Sequence, residues 1–122
     1  NEVIIKIEVP VYIQDGYSLY GINYWVFSNR KNIQADYCNE ENKHILIEIT
    51  LLESDAKQYR EMRMDEDIYL LLSEYCNEDT LYYQYEDEYI CMIFMGNIFY
   101  RISGNISLEE MIKIREGLEN IK

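Results

Sequence analysis

The last quarter of the chain decides the fold, and residues Tyr89–Ile121 read YICMIFMGNIFYRISGNISLEEMIKIREGLENI. Two β-prone, largely apolar runs, residues 91–95 and 98–102, flank Gly96-Asn97, and a two-residue loop that begins with glycine is typical of a type II′ turn. Residues 107–110 (SLEE) then have the spacing of a capping box, in which the serine hydroxyl accepts a hydrogen bond from the amide of the last glutamate and that glutamate reaches back. This stretch predicts a tight β-hairpin followed by one capped helix.

The helix predicted after the hairpin is amphipathic. Its apolar side chains fill roughly half of the circumference, and they are Leu108, Met111, Ile112, Ile114, Leu118 and Ile121. We therefore expect the helix to cover one face of a sheet, and a helix that binds a partner is the alternative.

The rest of the chain consists mostly of short runs in which apolar and polar residues alternate, a pattern that predicts strands with one buried face. We expect strands at residues 3–13, 19–28, 33–37, 44–52, 68–75 and 81–85, and a surface loop with one or two helical turns at residues 53–67. Because the connections are short and polar, the strands should form an antiparallel meander. The expected fold is α+β: an antiparallel β-meander sheet covered on one face by the C-terminal helix, with the other face partly open and rich in tyrosine.

Length and charge bound the class of protein. With 122 residues, of which 48% are hydrophobic, the chain should form a single α+β domain over residues 1–122. The net charge of −12 argues against nucleic acid as a partner, because phosphate binding needs clustered Lys and Arg. The acidic groups are scattered, so they predict a solvated surface, with binding of cations or a basic partner as the alternative.

The termini and the cysteines bear on cellular context. The chain begins with Asn1 rather than Met, so we expect a fragment of a longer protein, and no run of 18 apolar residues predicts a membrane span within it. Cys38, Cys76 and Cys91 are an odd number at wide spacings, which does not resemble a disulfide framework, and we expect free thiols.

No motif names a reaction. A nucleophilic cysteine needs a base and an orienting acid, and His44, the only histidine, stands where a strand begins after a polar turn, so no Cys–His catalytic pair is expected. The three cysteines and His44 are not paired at zinc-ligand spacing, and the acidic turns at residues 65–67 and 86–88 do not fit an EF-hand loop. We therefore expect no catalytic residues, no metal and no cofactor.

The 13 tyrosines are the unusual feature of the composition. Leu81 shares a strand face with Tyr83 and Tyr85, so that face should be core and Tyr82 with Gln84 should be exposed. With Trp25, these two residues are the candidate binding residues on the open face, where tyrosines could stack on sugars or contact a protein. The alternative is that tyrosine simply suits half-buried strand positions.

Three segments carry a family resemblance: residues 9–17 (VPVYIQDGY), the acidic, Tyr-rich run that ends in MIFMGN at residues 92–97, and residues 98–114 (IFYRISGNISLEEMIKI). Together they resemble the family catalogued as domain of unknown function 4367. Two departures are Gln14-Asp15-Gly16-Tyr17, where the family often has Pro-Glu-Gly-Tyr, and Ile93 with Phe94, where it often has Trp. The resemblance implies an extracytoplasmic domain of membrane-anchored proteins of Gram-positive bacteria, some of them anti-sigma-like, and it supplies no catalytic residue. It also implies that the longer protein is membrane-anchored or secreted.

The residue patterns and the resemblance together predict a non-enzymatic extracytoplasmic sensing or binding domain. One form of this prediction is the outer domain of an anti-sigma-like membrane protein. Its partner would be an unknown protein or small ligand. The alternatives are a small enzyme or inhibitor with an acidic, tyrosine-lined cleft, and a structural domain of a cell-surface protein.

Overall fold

The computed structural model describes residues 16–27, 30–53, 55–58, 60 and 70–119, so the strand predicted at residues 3–13 lies outside the described residues. The strands are β1 (Ser18–Phe27), β2 (Arg30–Cys38), β3 (His44–Leu51), β4 (Leu70–Leu71), β5 (Thr80–Tyr85), β6 (Glu88–Met95) and β7 (Ile98–Gly104). A 3-10 turn spans Ser73–Tyr75, and the C-terminal helix α1 spans Leu108–Glu119.

All seven described strands form one antiparallel sheet in the order β1-β2-β3-β7-β6-β5-β4. The sheet is two meanders, β1 to β3 and β4 to β7, and the pairing of β3 with β7 joins them. Together with the single C-terminal helix, this confirms the α+β class. The strand expected at residues 68–75 is shorter than predicted, because it ends at Leu71 and the 3-10 turn follows.

The β6–β7 hairpin forms as predicted. Phe94 pairs with Phe99 and Met95 with Ile98, which leaves Gly96 and Asn97 as the loop. Gly96 has a φ of +57°, the left-handed value that a type II′ turn requires at its first central position. The serine half of the predicted capping box is present, because the Glu110 amide donates to the Ser107 hydroxyl at 3.1 Å.

The helix covers the central strands on one side of the sheet, which we call the helix face. Met111, Ile114 and Leu118 are at most 2% exposed. They pack with the inward side chains of the sheet, which are Ala35, Ile45, Ile47, Ile49, Tyr82, Cys91, Ile93, Tyr100 and Ile102. The helix therefore closes the main core, as the sequence indicated.

The opposite side of β5, β6 and β7, which we call the back face, is also buried. Leu81, Tyr83, Ile90, Met92, Phe94 and Phe99 form a second cluster with Leu52 and Ala56. The Leu52 and Ala56 amides donate to carbonyls of the β6–β7 turn, both at 2.8 Å, which anchors the segment after β3 on the hairpin. Lys57, Gln58 and Arg60 in this segment are helical, in agreement with the predicted helical turns.

The back face of β2, β3 and β7 is different, because its side chains are mostly polar and half-buried. Asn32 donates to the Thr50 hydroxyl at 2.8 Å, and the Arg101 guanidinium lies 3.6 Å from the Glu48 carboxylate. This part of the sheet therefore carries amides, hydroxyls and an ion pair, whereas the exposed tyrosines Tyr20 and Tyr24 lie on the edge strand β1.

Candidate functional site

The sequence placed candidate binding residues on an open face, and the structure corrects this for Tyr82. Tyr82 is 5% exposed and lies on the helix face, because both faces of β5 are covered and alternation alone could not identify an exposed one. Burial, followed by the neighbouring Cys91, raises the pKa of the Tyr82 hydroxyl. Gln84 is half-buried on the same face, opposite Tyr89. Trp25 lies in β1, the strand at the opposite edge of the sheet from β4 and β5, and it pairs with Asn32 of β2. Its side chain is not among the described parts of the structure.

A cleft of about 500 Å³ lies at one end of the sheet, where three connections meet. We call it the loop-end cleft. Its walls come from the β2–β3 loop, the start of β1, the β5–β6 turn and the segment before the helix, and the lining residues are Tyr17, Asn39, Glu41, Lys43, Asp87, Tyr89, Asn105, Ile106 and Ser107. Two tyrosines and two carboxylates thus face one space, with one lysine.

Strand register brings these connections together. Gly104 at the end of β7 pairs with Ile45 of β3 on one side and with Tyr89 of β6 on the other. The β2–β3 loop, the β5–β6 turn and the β7–helix connection therefore emerge at the same end of the sheet. A Cβ atom at Gly104 would lie 2.9 Å from the His44 carbonyl oxygen, so this close approach of two strands requires glycine.

Hydrogen bonds within the loops hold the walls of the cleft. The Asn39 side-chain oxygen accepts from the Glu41 amide at 3.0 Å and from the Lys43 amide at 2.9 Å. Asn42 takes the left-handed conformation with a φ of +63°, which asparagine tolerates better than most residues. On the opposite wall, the Asn105 amide group donates to the Asp87 carboxylate at 2.9 Å. The two acidic side chains therefore stand on ordered loops.

The electrostatic environment of the cleft favours positive charge. Burial raises the pKa of the Tyr17 hydroxyl, and the nearby Glu41 carboxylate and Cys38 raise it further, so Tyr17 stays a neutral hydrogen-bonding group. The Lys43 ammonium lies 3.9 Å from Glu41, and both side chains are well exposed to solvent. Two carboxylates against one ammonium leave the lining with net negative charge, in a chain whose total charge is −12.

A second group of chemically active side chains lies beside this cleft, on the back face. The Asp36 carboxylate is 2.8 Å from His44 Nδ1, and Cys38 Sγ is 3.8 Å from His44 Nε2. The order acid, imidazole and thiol is the arrangement that activates a nucleophilic cysteine. The sequence analysis did not expect these side chains to lie together, and whether the pair has a catalytic role stays untested.

The signal for that group was present in the sequence. Strands at residues 33–37 and 44–52 joined by a short polar connection form a hairpin, and in a hairpin with a five-residue loop Cys38 lies opposite His44. Asp36, two residues before Cys38, must then share its face. Treating His44 as an isolated strand start missed this register argument.

A smaller cavity of about 280 Å³ lies between β5 and the C-terminal helix. Its lining includes Tyr75, Tyr82, Glu116 and Arg115, and the Arg115 Nε donates to the Thr80 hydroxyl at 2.9 Å. Arg115 is only 5% exposed, and its charge acts against the effect of burial on the pKa of Cys91, which burial raises to about 12. This arginine serves to hold helix and sheet together from within the core.

Among the described residues, no group of three His, Cys, Asp or Glu side chains is placed to hold a metal ion. Within the same part of the chain, no helix has the length and apolar character needed to cross a membrane.

A family model described as Domain of unknown function (DUF4367) matches residues 8–118. Neither the curated proteins nor the solved structures contain a match to the chain.

Proposed function

The chain belongs to the DUF4367 family, and from that premise we propose that it is a non-enzymatic extracytoplasmic binding or sensing domain whose ligand presents a cationic group to the loop-end cleft. The full-length protein would be anchored in the membrane of a Gram-positive bacterium. An anti-sigma-like membrane protein is one kind of protein that fits this proposal. Occupancy of the cleft would then be the signal that the outer domain receives.

The observation that carries the proposal is the lining of the cleft. Tyr17 and Tyr89 supply aromatic faces, and Glu41 and Asp87 supply carboxylates across a space of about 500 Å³. Ammonium and guanidinium groups are attracted both by aromatic faces and by carboxylates, so this combination suits an organic cation. The same chemistry fits a small amine or a basic side chain of a protein partner.

The negative charge of the whole molecule supports the same ligand class. A chain with net charge −12 raises the local concentration of cations and accelerates their encounter with a concave site. Lys43 competes for the carboxylates, because its ammonium lies 3.9 Å from Glu41. A cationic ligand would displace this weak, solvent-exposed contact at little cost in free energy.

Binding is tested by titrating the domain with spermidine, and with sodium chloride at matched ionic strength, while backbone amide shifts are followed by NMR. We expect spermidine to shift the amides of the β2–β3 loop and the β5–β6 turn at low salt. Glu41→Gln and Asp87→Asn should each weaken binding by about two- to fivefold, the range expected for an exposed ion pair.

Glu78→Gln is the matched control, because Glu78 is an exposed acid in the turn before β5 and does not line the cleft. It should leave spermidine affinity unchanged. Equal effects of all three substitutions would indicate non-specific attraction to an acidic surface and would refute the cleft as a binding site.

Location is tested on intact cells of the native host, with the full-length gene carrying an epitope tag after Lys122. External protease should remove the tag from protoplasts while a cytoplasmic marker protein stays intact. Protection of the tag until the cells are lysed would contradict the extracytoplasmic location.

A further inference from the structure

The group formed by Cys38, His44 and Asp36 plays no part in the proposed binding of a cation. The three side chains lie on the back face at the end of the β2–β3 hairpin, where Cys38 and His44 are a cross-strand pair. The imidazole of His44 lies between the other two groups. Its Nδ1 is 2.8 Å from the Asp36 carboxylate, and its Nε2 is 3.8 Å from the Cys38 sulfur.

The role of the imidazole follows from which ring nitrogen faces the carboxylate and which faces the thiol. A carboxylate accepts only, so its contact with Nδ1 favours the tautomer in which that nitrogen carries the proton. The lone pair of Nε2 then faces the Cys38 sulfur. The thiol also lies 3.3 Å from the Asn39 carbonyl oxygen and 3.7 Å from Asn42 Oδ1, but of these acceptors only the imidazole is basic enough to take up the proton. Asp36 thus positions the ring, and His44 is the base.

The group is open to a small reagent. The side chain of His44 is 42% exposed and that of Asp36 29%, and Cys38 is half-buried. The Tyr20 ring stands edge-on to the imidazole with a centroid separation of 6.0 Å, and Tyr20 is 75% exposed. The group is therefore reached from the solvent side of the sheet, where a flexible disulfide can approach the sulfur.

The other two cysteines provide an internal contrast. Cys91 is fully buried, and burial raises the pKa of its thiol to about 12, which keeps it protonated. Cys76 is half-buried, and its sulfur accepts from the Tyr82 amide and donates to the Leu72 carbonyl, both at 3.3 Å. Neither has an imidazole beside it in the described structure, because the chain has a single histidine.

We propose that Cys38 is a thiol-modification site, activated by His44 and Asp36, that exchanges with low-molecular-weight disulfides. In the step, His44 Nε2 takes the thiol proton and the Cys38 sulfur attacks one sulfur of the disulfide. A new S–S bond forms to Cys38, the original S–S bond breaks, and the departing thiolate takes the proton from His44. The products are a mixed disulfide on Cys38 and one free thiol, so the disulfide itself is the oxidant.

The reaction is measured with glutathione disulfide at pH 7, using peptide mapping by mass spectrometry to follow each cysteine separately. We expect Cys38 to form the mixed disulfide at least about tenfold faster than Cys76, and Cys91 to stay unmodified in the folded protein. His44→Gln should slow the reaction of Cys38 by about tenfold or more, because it removes the base.

Lys113→Gln is the matched control, because it removes one exposed cation on the C-terminal helix and leaves the β2–β3 hairpin and the imidazole untouched. It should leave the rate at Cys38 unchanged, which shows that a one-unit change in net charge does not slow the reaction. A rate at Cys38 that is the same in His44→Gln as in the unaltered chain, or equal rates at Cys38 and Cys76, would overturn the proposal.

The positioning role of Asp36 has its own readout. The single histidine allows long-range ¹⁵N–¹H NMR to report the tautomer of His44 directly. Asp36→Asn should raise the population of the Nε2–H tautomer and slow Cys38 together, with circular dichroism unchanged. A tautomer that does not respond to this substitution would overturn the assignment of Asp36. Asp36→Glu keeps the carboxylate and should react at near the original rate. This variant separates the effect of losing the carboxylate in Asp36→Asn from an effect of losing the fold.

Discussion

At the scale of single residues, two β-turns offer a comparison between glycine and glutamate at nearly the same positive φ. Gly96 begins the β6–β7 turn with a φ of +57°, and Glu86 begins the β5–β6 turn with a φ of +55°. A side chain in this region is strained by about 1–2 kcal/mol, whereas glycine is not. Glu86 keeps this strained conformation one residue before Asp87, which lines the loop-end cleft.

The two turns predict opposite effects of substitution. Glu86→Gly should stabilise the domain by about 0.5 kcal/mol, because relief of strain exceeds the added entropy of the unfolded chain. Gly96→Ala should destabilise it by about 1 kcal/mol, because no atom lies within 4 Å of the new Cβ and only the backbone conformation matters. Denaturant unfolding of both variants checks the pair. If Glu86→Gly lowers the free energy of unfolding, the positive φ of Glu86 is not a source of strain in the folded state.

At the scale of elements, the C-terminal helix is held by a narrow set of buried side chains. Leu118 is 2% exposed near the end of the helix and packs on the sheet core, while Lys113 points to solvent with its ammonium 3.6 Å from Glu110. The helix thus depends on its apolar stripe more than on its ion pair.

Truncation of Leu118 tests this dependence. Leu118→Ala should lower the free energy of unfolding by about 2–5 kcal/mol, through lost burial and the cavity that remains. Lys113→Ala, on the exposed side, should change it by less than about 0.5 kcal/mol. Thermal and urea unfolding measure both. A melting temperature of Leu118→Ala that matches the unaltered chain would mean that the helix does not close the core.

The same elements show which features the sequence could predict. The hairpin, its turn and the helix cap depend on residues within a few positions of one another, so pattern and turn chemistry predicted them correctly. The exposure of Tyr82 depended on what covers each face of β5, and that covering comes from Leu52, Ala56 and the helix, far away in the chain. The Cys38–His44 pair was local and predictable, but only through strand register rather than through motif spacing.

At the scale of the whole molecule, we expect the fold to be stable without a covalent or metal cross-link. Cys38, Cys76 and Cys91 are free thiols, and two buried clusters on opposite sides of one sheet supply the stability. Both faces of β5 and β6 are covered, so these two strands contribute side chains to both clusters.

Combined treatment with EDTA and dithiothreitol should therefore leave the circular dichroism spectrum and the melting temperature unchanged. The melting curve recorded with each reagent alone is the control. A large loss of structure with chelator would revive a metal site that includes Cys38, His44, Cys76 or Cys91.

The pairing of β3 with β7 has a consequence for synthesis of the chain. Ile47 pairs with Ile102, so the N-terminal meander stays an incomplete sheet until the seventh strand has been made. During that interval β3 has an open edge beside the apolar Ile45, Ile47 and Ile49, which is a template for wrong pairing with other chains. A nascent chain that pauses or is cut before Ile98 should therefore aggregate or recruit chaperones, while one released after the helix should fold in a single cooperative step.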